Sequence, residues 1–353
     1  MDLSLHPLHL LSSPASTDNV VFALAGDSRD KAMALFDERG FPDVPYQWLN
    51  HAGKSPEEWE EALLEVRPTV LVIGWGSRGL SESFARHPDS GLRYVCHLAG
   101  TVREFVPRSL IERGVLVSNW GSSISHTVAE HAILLALAAL RSLPRWAPYL
   151  QEWPTHRLPP PRRAMQTRSL RGKRVGLHGF GAVARELVVL LEAFGAKVSA
   201  YSLGVPVRIF TENGVHQCAN LEELFATSEV IIECEALTPA TQGSVNEKLL
   251  RLLPEGAAFI NVARGALVDE AALARVAPER GLRLALDVYE REPLPLDSSL
   301  FSLPDTVLSP HIAGPTEDSF PAMWDFAMRN ISQFLAGGEI EGLVTPEVYD
   351  RCT

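Results

Sequence analysis

Arg174–Tyr201, RVGLHGFGAVARELVVLLEAFGAKVSAY, is the stretch whose reading decides the fold. Val175 and Leu177 mark a short buried strand, and the turn Gly179-Phe180-Gly181-Ala182-Val183-Ala184 follows it. A helix then runs to Phe194-Gly195, and a second strand leads to Tyr201. In such a G-x-G-x-x-A turn the first glycine permits the tight bend and the second lets backbone N–H groups approach a pyrophosphate. The small last residue keeps helix and strand close. The helix N-terminus adds partial positive charge. A strand before the turn and a helix and strand after it are the context that makes this a dinucleotide-site signal. The acidic residue that such a unit carries roughly 20 residues on is missing. Ser202 holds its place.

Outward from this unit, strands and helices alternate in both directions. Upstream, the apolar runs Val20–Leu24, Val70–Ile73, Leu92–Cys96 and Val115–Val117 read as strands. Helical spacing falls on Lys31–Glu38 and Pro107–Glu112, and Ser55-Pro56-Glu57-Glu58 starts a helix that reaches Val66. There an N-cap serine, a first-turn proline and acids meet the positive end of the dipole. Downstream, Val230–Cys234, Ala258–Asn261, Leu282–Leu286 and Val307-Leu308 are further strands. Asn220 caps a helix, another covers Asp269–Val276, and a last one covers Glu317–Leu335. Strands alternating with helices imply parallel sheets covered on both faces. The class is α/β.

The chain of 353 residues has material for two domains. Its net charge of −11 argues against a general nucleic-acid or membrane-surface binder. Cys96, Cys218, Cys234 and Cys352 lack disulfide or metal-ligand spacing, which fits a reducing cytoplasm and no metal site. MDLSLHPLHLL carries Asp2 and no basic region, so it reads poorly as a signal peptide. The apolar helix Thr127–Leu140 is too long on its apolar side for one core face, and a domain or subunit contact is expected for it. The Pro-rich basic segment from Arg141 to Arg171 reads as an extended connector with solvated arginines, or else as a patch for a phosphorylated ligand or partner.

Each downstream strand ends in polar or charged residues, and in open parallel sheets the ligand crevice lies outside those ends. Three of these residues form a coherent set beside a nicotinamide: Arg264, Glu292 and His311. Arg264 suits a substrate carboxylate through its planar donor fork. His311 suits the proton that accompanies a hydride, and Glu292 suits the other imidazole nitrogen, fixing the tautomer and favouring the protonated ring.

The segments LRGKRVGLHGFGAVA, LTPAT, INVARGALVDEAAL, LALDVYEREPLP and SPHIAG, with HLAG at His97–Gly100 and TVAEHA at Thr127–Ala132, resemble the D-isomer-specific 2-hydroxyacid dehydrogenases. The resemblance covers most of the chain and lies on the phosphoglycerate dehydrogenase-like side. GWGS at Gly74–Ser77 and AGTVR at Ala99–Arg103 look like a less characterised branch. It implies two Rossmann-like or flavodoxin-like parallel-sheet domains separated by a cleft. Residues 1–119 plus 315–353 would form the substrate domain and 120–314 the NAD(P)-binding domain. By this resemblance Arg264, Glu292 and His311 are the catalytic trio, and the backbone at Ala99 and Gly100 holds the substrate carboxylate. Gly179, Phe180, Gly181, Ala182 and Val183 lie along the pyrophosphate, and Ser202, Glu235 and Ala236 near the adenosine. Val262 and Ala263 lie beside the nicotinamide, Asp287 binds its carboxamide, and the helix Thr127–Leu140 lies in a homodimer interface.

Two positions depart from the family pattern. Ala236 stands where proline is usual, which only loosens a turn. Ser202 stands where NAD-preferring members carry aspartate, so relaxed preference between NAD and NADP is expected. The nearest following arginine is Arg208. The resemblance implies hydride transfer between NAD(P)H and a 2-keto acid or D-2-hydroxy acid. The alternative is a nucleotide-sensing binding protein like the C-terminal-binding corepressors, which resemble the chain over the same motifs. The short C-terminal tail speaks against the long phosphoglycerate dehydrogenases with an added regulatory domain. Side-chain selectivity is expected from Trp75, Trp120 and Arg103.

Overall fold

A computed structural model describes residues 18–40, 44–156 and 165–350. The N-terminal MDLSLHPLHLL, Pro159–Arg163 and Cys352 lie outside them. The described chain forms two compact units. One comprises the residues up to Asn119 together with Trp324–Pro346, and the other comprises Trp120–Met323 with the residues from Glu347. The boundary falls inside the helix Phe320–Leu335, where the sequence reading has it at 314/315. Ser319 explains the local continuity: its Oγ donates to the Thr316 carbonyl at 2.7 Å, tying the start of this helix to the preceding turn.

The first unit is a five-stranded parallel sheet of β1 (Val20–Phe22), β2 (Tyr46–Trp48), β3 (Val70–Ile73), β4 (Tyr94–His97) and β5 (Leu116–Ser118), in the order β2-β1-β3-β4-β5. That is a flavodoxin-like order. The central strands β1, β3 and β4 are buried throughout, as expected for strands covered on both faces. The returning C-terminal helix closes this core: Trp324, 1% exposed, stacks on Phe22 with ring centroids 5.9 Å apart.

The second unit is a seven-stranded parallel sheet. Its strands are β6 (Arg174–His178), β7 (Lys197–Tyr201), β8 (His216–Gln217), β9 (Val230–Glu233), β10 (Ala258–Asn261), β11 (Arg283–Leu286) and β12 (Thr306–Leu308). The order β12-β11-β10-β9-β6-β7-β8 is doubly wound, and its direction reverses between β6 and β9. The helix Ala182–Ala193 follows β6, and its Ala184, Leu187, Val188 and Leu191 enter the core.

Three expectations change. The apolar helix spans Ser125–Leu140 and is satisfied largely inside its own unit, with Ala132, Leu135, Ala136 and Ala139 in the same core cluster as Val175 and Leu187. Only Leu134, 57% exposed, stands out among its large apolar residues. The basic segment is not extended at its start, because Trp146–His156 is helical. Two of its described arginines are engaged: Arg145 pairs with Asp305, and Arg168 donates to the Gly256 carbonyl at 2.7 Å. The edge strands β2 and β8 and the helices Glu82–Arg86, Val207–Glu212 and Glu247–Leu252 add to the elements read from sequence. No single helix among the described residues is long and apolar enough to cross a membrane.

Candidate active site

The switch point between β6 and β9 is where an open α/β sheet leaves a crevice for a ligand. Gly179 ends β6 with φ +101°, a conformation that favours glycine, and it packs so tightly that a Cβ there would stand 2.5 Å from the Glu235 amide. Phe180 points the other way, stacked on Phe210 at 4.4 Å and only 2% exposed, so the core clamps the turn from below. Around Gly181 a Cβ would meet nothing within 4 Å. No side chain caps the helix at Gly181, which leaves the first-turn amides that start at Ala182 and Val183 without a local side-chain acceptor. An open space over uncapped helix amides fits a dinucleotide pyrophosphate.

The charged loops hang from the ends of β10, β11 and β12. Asn261 shapes the first: its Oδ1 accepts the Ala263 amide at 3.0 Å and its Nδ2 donates to the Arg264 carbonyl at 3.1 Å. Val262 and Ala263 are buried, at 7% and 9% exposure, while Arg264 is half-buried and donates from Nη1 to the Ala263 carbonyl at 2.7 Å. Gly265 then sets this loop against the next one. A Cβ on it would stand 1.8 Å from the Tyr289 carbonyl carbon, so no other residue fits there.

In the second loop Glu292 Oε1 accepts the Tyr289 amide at 3.0 Å, which fixes the carboxylate. Its Oε2 lies 2.6 Å from His311 Nδ1. The carboxylate accepts, so Nδ1 carries the hydrogen and Nε2 is left to exchange a proton with a substrate. Both side chains are open, 46% exposed for His311 and 35% for Glu292, and they line a cavity of about 600 Å³ with Leu294, Phe301 and Leu308. His311 has φ +55°, a left-handed conformation unusual for a non-glycine residue.

What holds that backbone is Asp287, fully buried at the end of β11. Its oxygens accept the Ser309 hydroxyl at 2.6 Å and the Ile312 and Ala313 amides at 3.0 and 2.8 Å, and His131 Nε2 lies 3.3 Å away. Burial opposes its ionisation, but the hydrogen bonds from His131, Ser309, Ile312 and Ala313 prevail and bring its pKa down to about 2. Tyr289 closes the same corner, donating to the Leu286 and Ser309 carbonyls at 3.1 and 2.9 Å. Burial pushes its phenol up to about 12.

Ala99 and Gly100 belong to the first unit, just past β4. Ala99 is fully buried, and the Gly100 carbonyl accepts Asn119 Nδ2 at 2.7 Å. Trp75, 44% exposed, follows β3 in the same unit. The site-forming roles of Asn261, Gly265, Tyr289, Ser309 and His131 lie beyond the sequence reading. The glycine after Arg264 and the histidine of TVAEHA were the available signals. Cysteine spacing also passed over His216, Cys218 and Glu223, whose ligand atoms lie within 4.8 Å of one another beside β8. There Glu223 Oε2 already accepts the Ala219 amide at 2.7 Å.

The switch-point turn and the loops at the strand ends define a dinucleotide-dependent oxidoreductase. Residues 133–313 match the family described as D-isomer specific 2-hydroxyacid dehydrogenase, NAD binding domain. A glyoxylate reductase of Thermococcus kodakarensis is 32% identical over 301 residues, which cover 83% of this chain and 89% of that protein. A D-3-phosphoglycerate dehydrogenase of Methanocaldococcus jannaschii is 31% identical over 318 residues, covering 89% of this chain but 57% of the relative. The crystal structure of an NADPH-dependent glyoxylate/hydroxypyruvate reductase from Sinorhizobium meliloti superposes with a TM-score of 0.75 at 23% identity, covering 95% of this chain and 99% of that one. The chain belongs to the D-isomer-specific 2-hydroxyacid dehydrogenase family.

Proposed function

We propose that the protein reversibly reduces a 2-keto acid to a D-2-hydroxy acid with NAD(P)H. The observation that carries this reading is the accessible His311–Glu292 pair at 2.6 Å, on a loop whose backbone Asp287 fixes. When bound, the nicotinamide supplies the hydride that goes to the keto carbon. His311 delivers from Nε2 the proton that the carbonyl oxygen takes up, and Glu292 accepts the Nδ1 hydrogen and steadies the ring. Arg264 anchors the substrate carboxylate through its guanidinium fork, and the backbone at Ala99 and Gly100 of the first unit receives the same carboxylate. Residues 1–119 with 315–353 serve the substrate and 120–314 the cofactor. On that side Gly179, Phe180, Gly181, Ala182 and Val183 cradle the pyrophosphate, Ser202, Glu235 and Ala236 flank the adenosine, and Val262 and Ala263 flank the nicotinamide. Asp287 is assigned to hold the His311 loop, since its oxygens are already taken by protein donors; a carboxamide contact would have to share them.

A homodimer is proposed from the apolar surface that Leu134, Trp146 and Leu150 leave exposed at 57%, 44% and 59%. The free thiols of Cys96, Cys218 and Cys234 suit a cytoplasmic setting.

The test is oxidation of NADH and of NADPH against glyoxylate, hydroxypyruvate, pyruvate and phosphohydroxypyruvate. Turnover of at least one is expected. Failure across this panel, with tight nucleotide binding retained, would favour the nucleotide-sensing alternative instead.

A further inference from the structure

Ser202 leaves the adenosine end of the cradle without the acid expected on its own strand, yet a carboxylate stands there. Ser202, 5% exposed, donates its hydroxyl to Glu235 Oε2 at 2.6 Å, so the side chain of the second residue after β9 reaches the end of β7. Glu235 Oε1 accepts the Ala236 amide at 2.9 Å, and the Glu235 amide donates to Glu233 Oε1 at 2.9 Å. Glu233 is fully buried and its Oε2 lies 2.5 Å from His178 Nδ1. Beneath the chain of bonds, Gly179 packs directly on the Glu235 amide. The Glu235 backbone is thus held from two sides and its carboxylate from a third.

We infer that Glu235 reads the adenine ribose in place of an acid at position 202, and that the protein therefore selects NAD(H) over NADP(H). The inference rests on the dinucleotide reading of the Gly179 turn. Each carboxylate oxygen has two acceptor sites, and Ser202 and the Ala236 amide use one apiece, so both oxygens keep capacity for ribose hydroxyls. A 2′-phosphate brought to the same place meets a fixed negative charge. It would need a cationic fork instead, and Arg208 is turned to Glu212 at 3.5 Å on the surface. The buried pair below supports the arrangement electrostatically. His178 neutralises Glu233, so the second carboxylate, two residues on, does not face an uncompensated buried charge. The expectation of relaxed preference considered Ser202 without this neighbour.

The test is the ratio of equilibrium dissociation constants for NADH and NADPH, measured by fluorescence or calorimetry. ADP-ribose and its 2′-phosphate serve as probes without the nicotinamide. The wild-type protein is expected to bind NADH at least about tenfold more tightly than NADPH, and Glu235→Gln to cut that ratio by about tenfold or more, the scale of a charged hydrogen bond. Ser202→Ala should move the ratio the same way by less, and it reads the same quantity should Glu235→Gln fail to fold. Adding Ser202→Asp to Glu235→Gln should restore the preference for NADH, which a merely structural strut would not do. Equal binding of the two nucleotides by wild type, or an equal change in both constants in Glu235→Gln, overturns the assignment and leaves the family reading standing. If wild type binds neither nucleotide, both fall.

Discussion

Two of the histidine–glutamate pairs in the described part of the second unit have nearly equal length and opposite surroundings. His178 and Glu233 meet at 2.5 Å with side chains 3% and 0% exposed, on neighbouring strands under the glycine turn. His311 and Glu292 meet at 2.6 Å at 46% and 35% exposure, on loops beyond the strand ends. Burial alone would discharge His178, but the Glu233 carboxylate outweighs it, with Glu235 adding to the effect, and the imidazole pKa is raised. A buried ion pair of this kind has no access to a substrate. Its proton is locked in place, whereas His311 keeps one nitrogen toward solvent. Contact distance does not separate structural from chemical pairs. Access does.

The largest effect that can break this contrast belongs to His311. His311→Gln should lower kcat/KM by about 10²- to 10⁴-fold, the usual contribution of a general acid, with NADH affinity unchanged in a direct binding measurement. Should His178→Ala abolish turnover of the folded protein while His311→Gln does not, the roles assigned to the two pairs are reversed.

The inner pair answers in stability. His178→Ala strands a fully buried carboxylate at Glu233, and breaking a buried pair costs about 3–5 kcal/mol. Thermal or urea unfolding should show the loss, and the double variant His178→Leu with Glu233→Leu should recover part of it, because an apolar pair avoids both desolvation costs but leaves the Glu235 amide without its acceptor. A double variant no more stable than the single one would mean that the pair is not what His178 contributes. The sign with pH follows from the raised pKa. The pair's contribution is full below the unfolded histidine value and fades as pH rises through the folded one.

Much of this molecule is legible in its sequence, for physical reasons that differ by region. Strands buried on both faces print as unbroken apolar runs, so Val70–Ile73 and Ala258–Asn261 stand where the sequence puts them. Two of the four edge strands do not: Tyr46 and Gln47 of β2 and His216 of β8 are exposed, and two or three such residues make no pattern. In the site, Arg264, Glu292 and His311 stood out in the sequence as charged residues at parallel strand ends, and the structure joins two of them, Glu292 and His311, at 2.6 Å. The supports were not. That Gly265 presses on Tyr289, or that Ser202 reaches Glu235, depends on which loops meet across strands far apart in sequence. His178 and Glu233 belong to two strands joined only by the sheet order, and the polar ends of β6 and β9 gave no sign of a pair.

Asp287 sharpens the contrast with the smallest of the expected effects, and its sign is opposite to that of His178. Hydrogen bonds lower its pKa from 3.8 to about 2, so its contribution is present above the unfolded value and disappears as pH falls through the folded one. By linkage the shift corresponds to about 2 kcal/mol. Wild-type stability should therefore decline between about pH 4 and pH 2 by that amount more than that of Asp287→Asn, measured by urea unfolding across the range. The asparagine also loses an acceptor for the Ile312 or Ala313 amide, both of which Asp287 now holds. The His311 loop should loosen in consequence, seen as faster amide exchange at those two residues at neutral pH. Parallel acid profiles for the two proteins would show that the carboxylate is not the loop's anchor. His311 would then owe its left-handed backbone to something other than the charge beneath it.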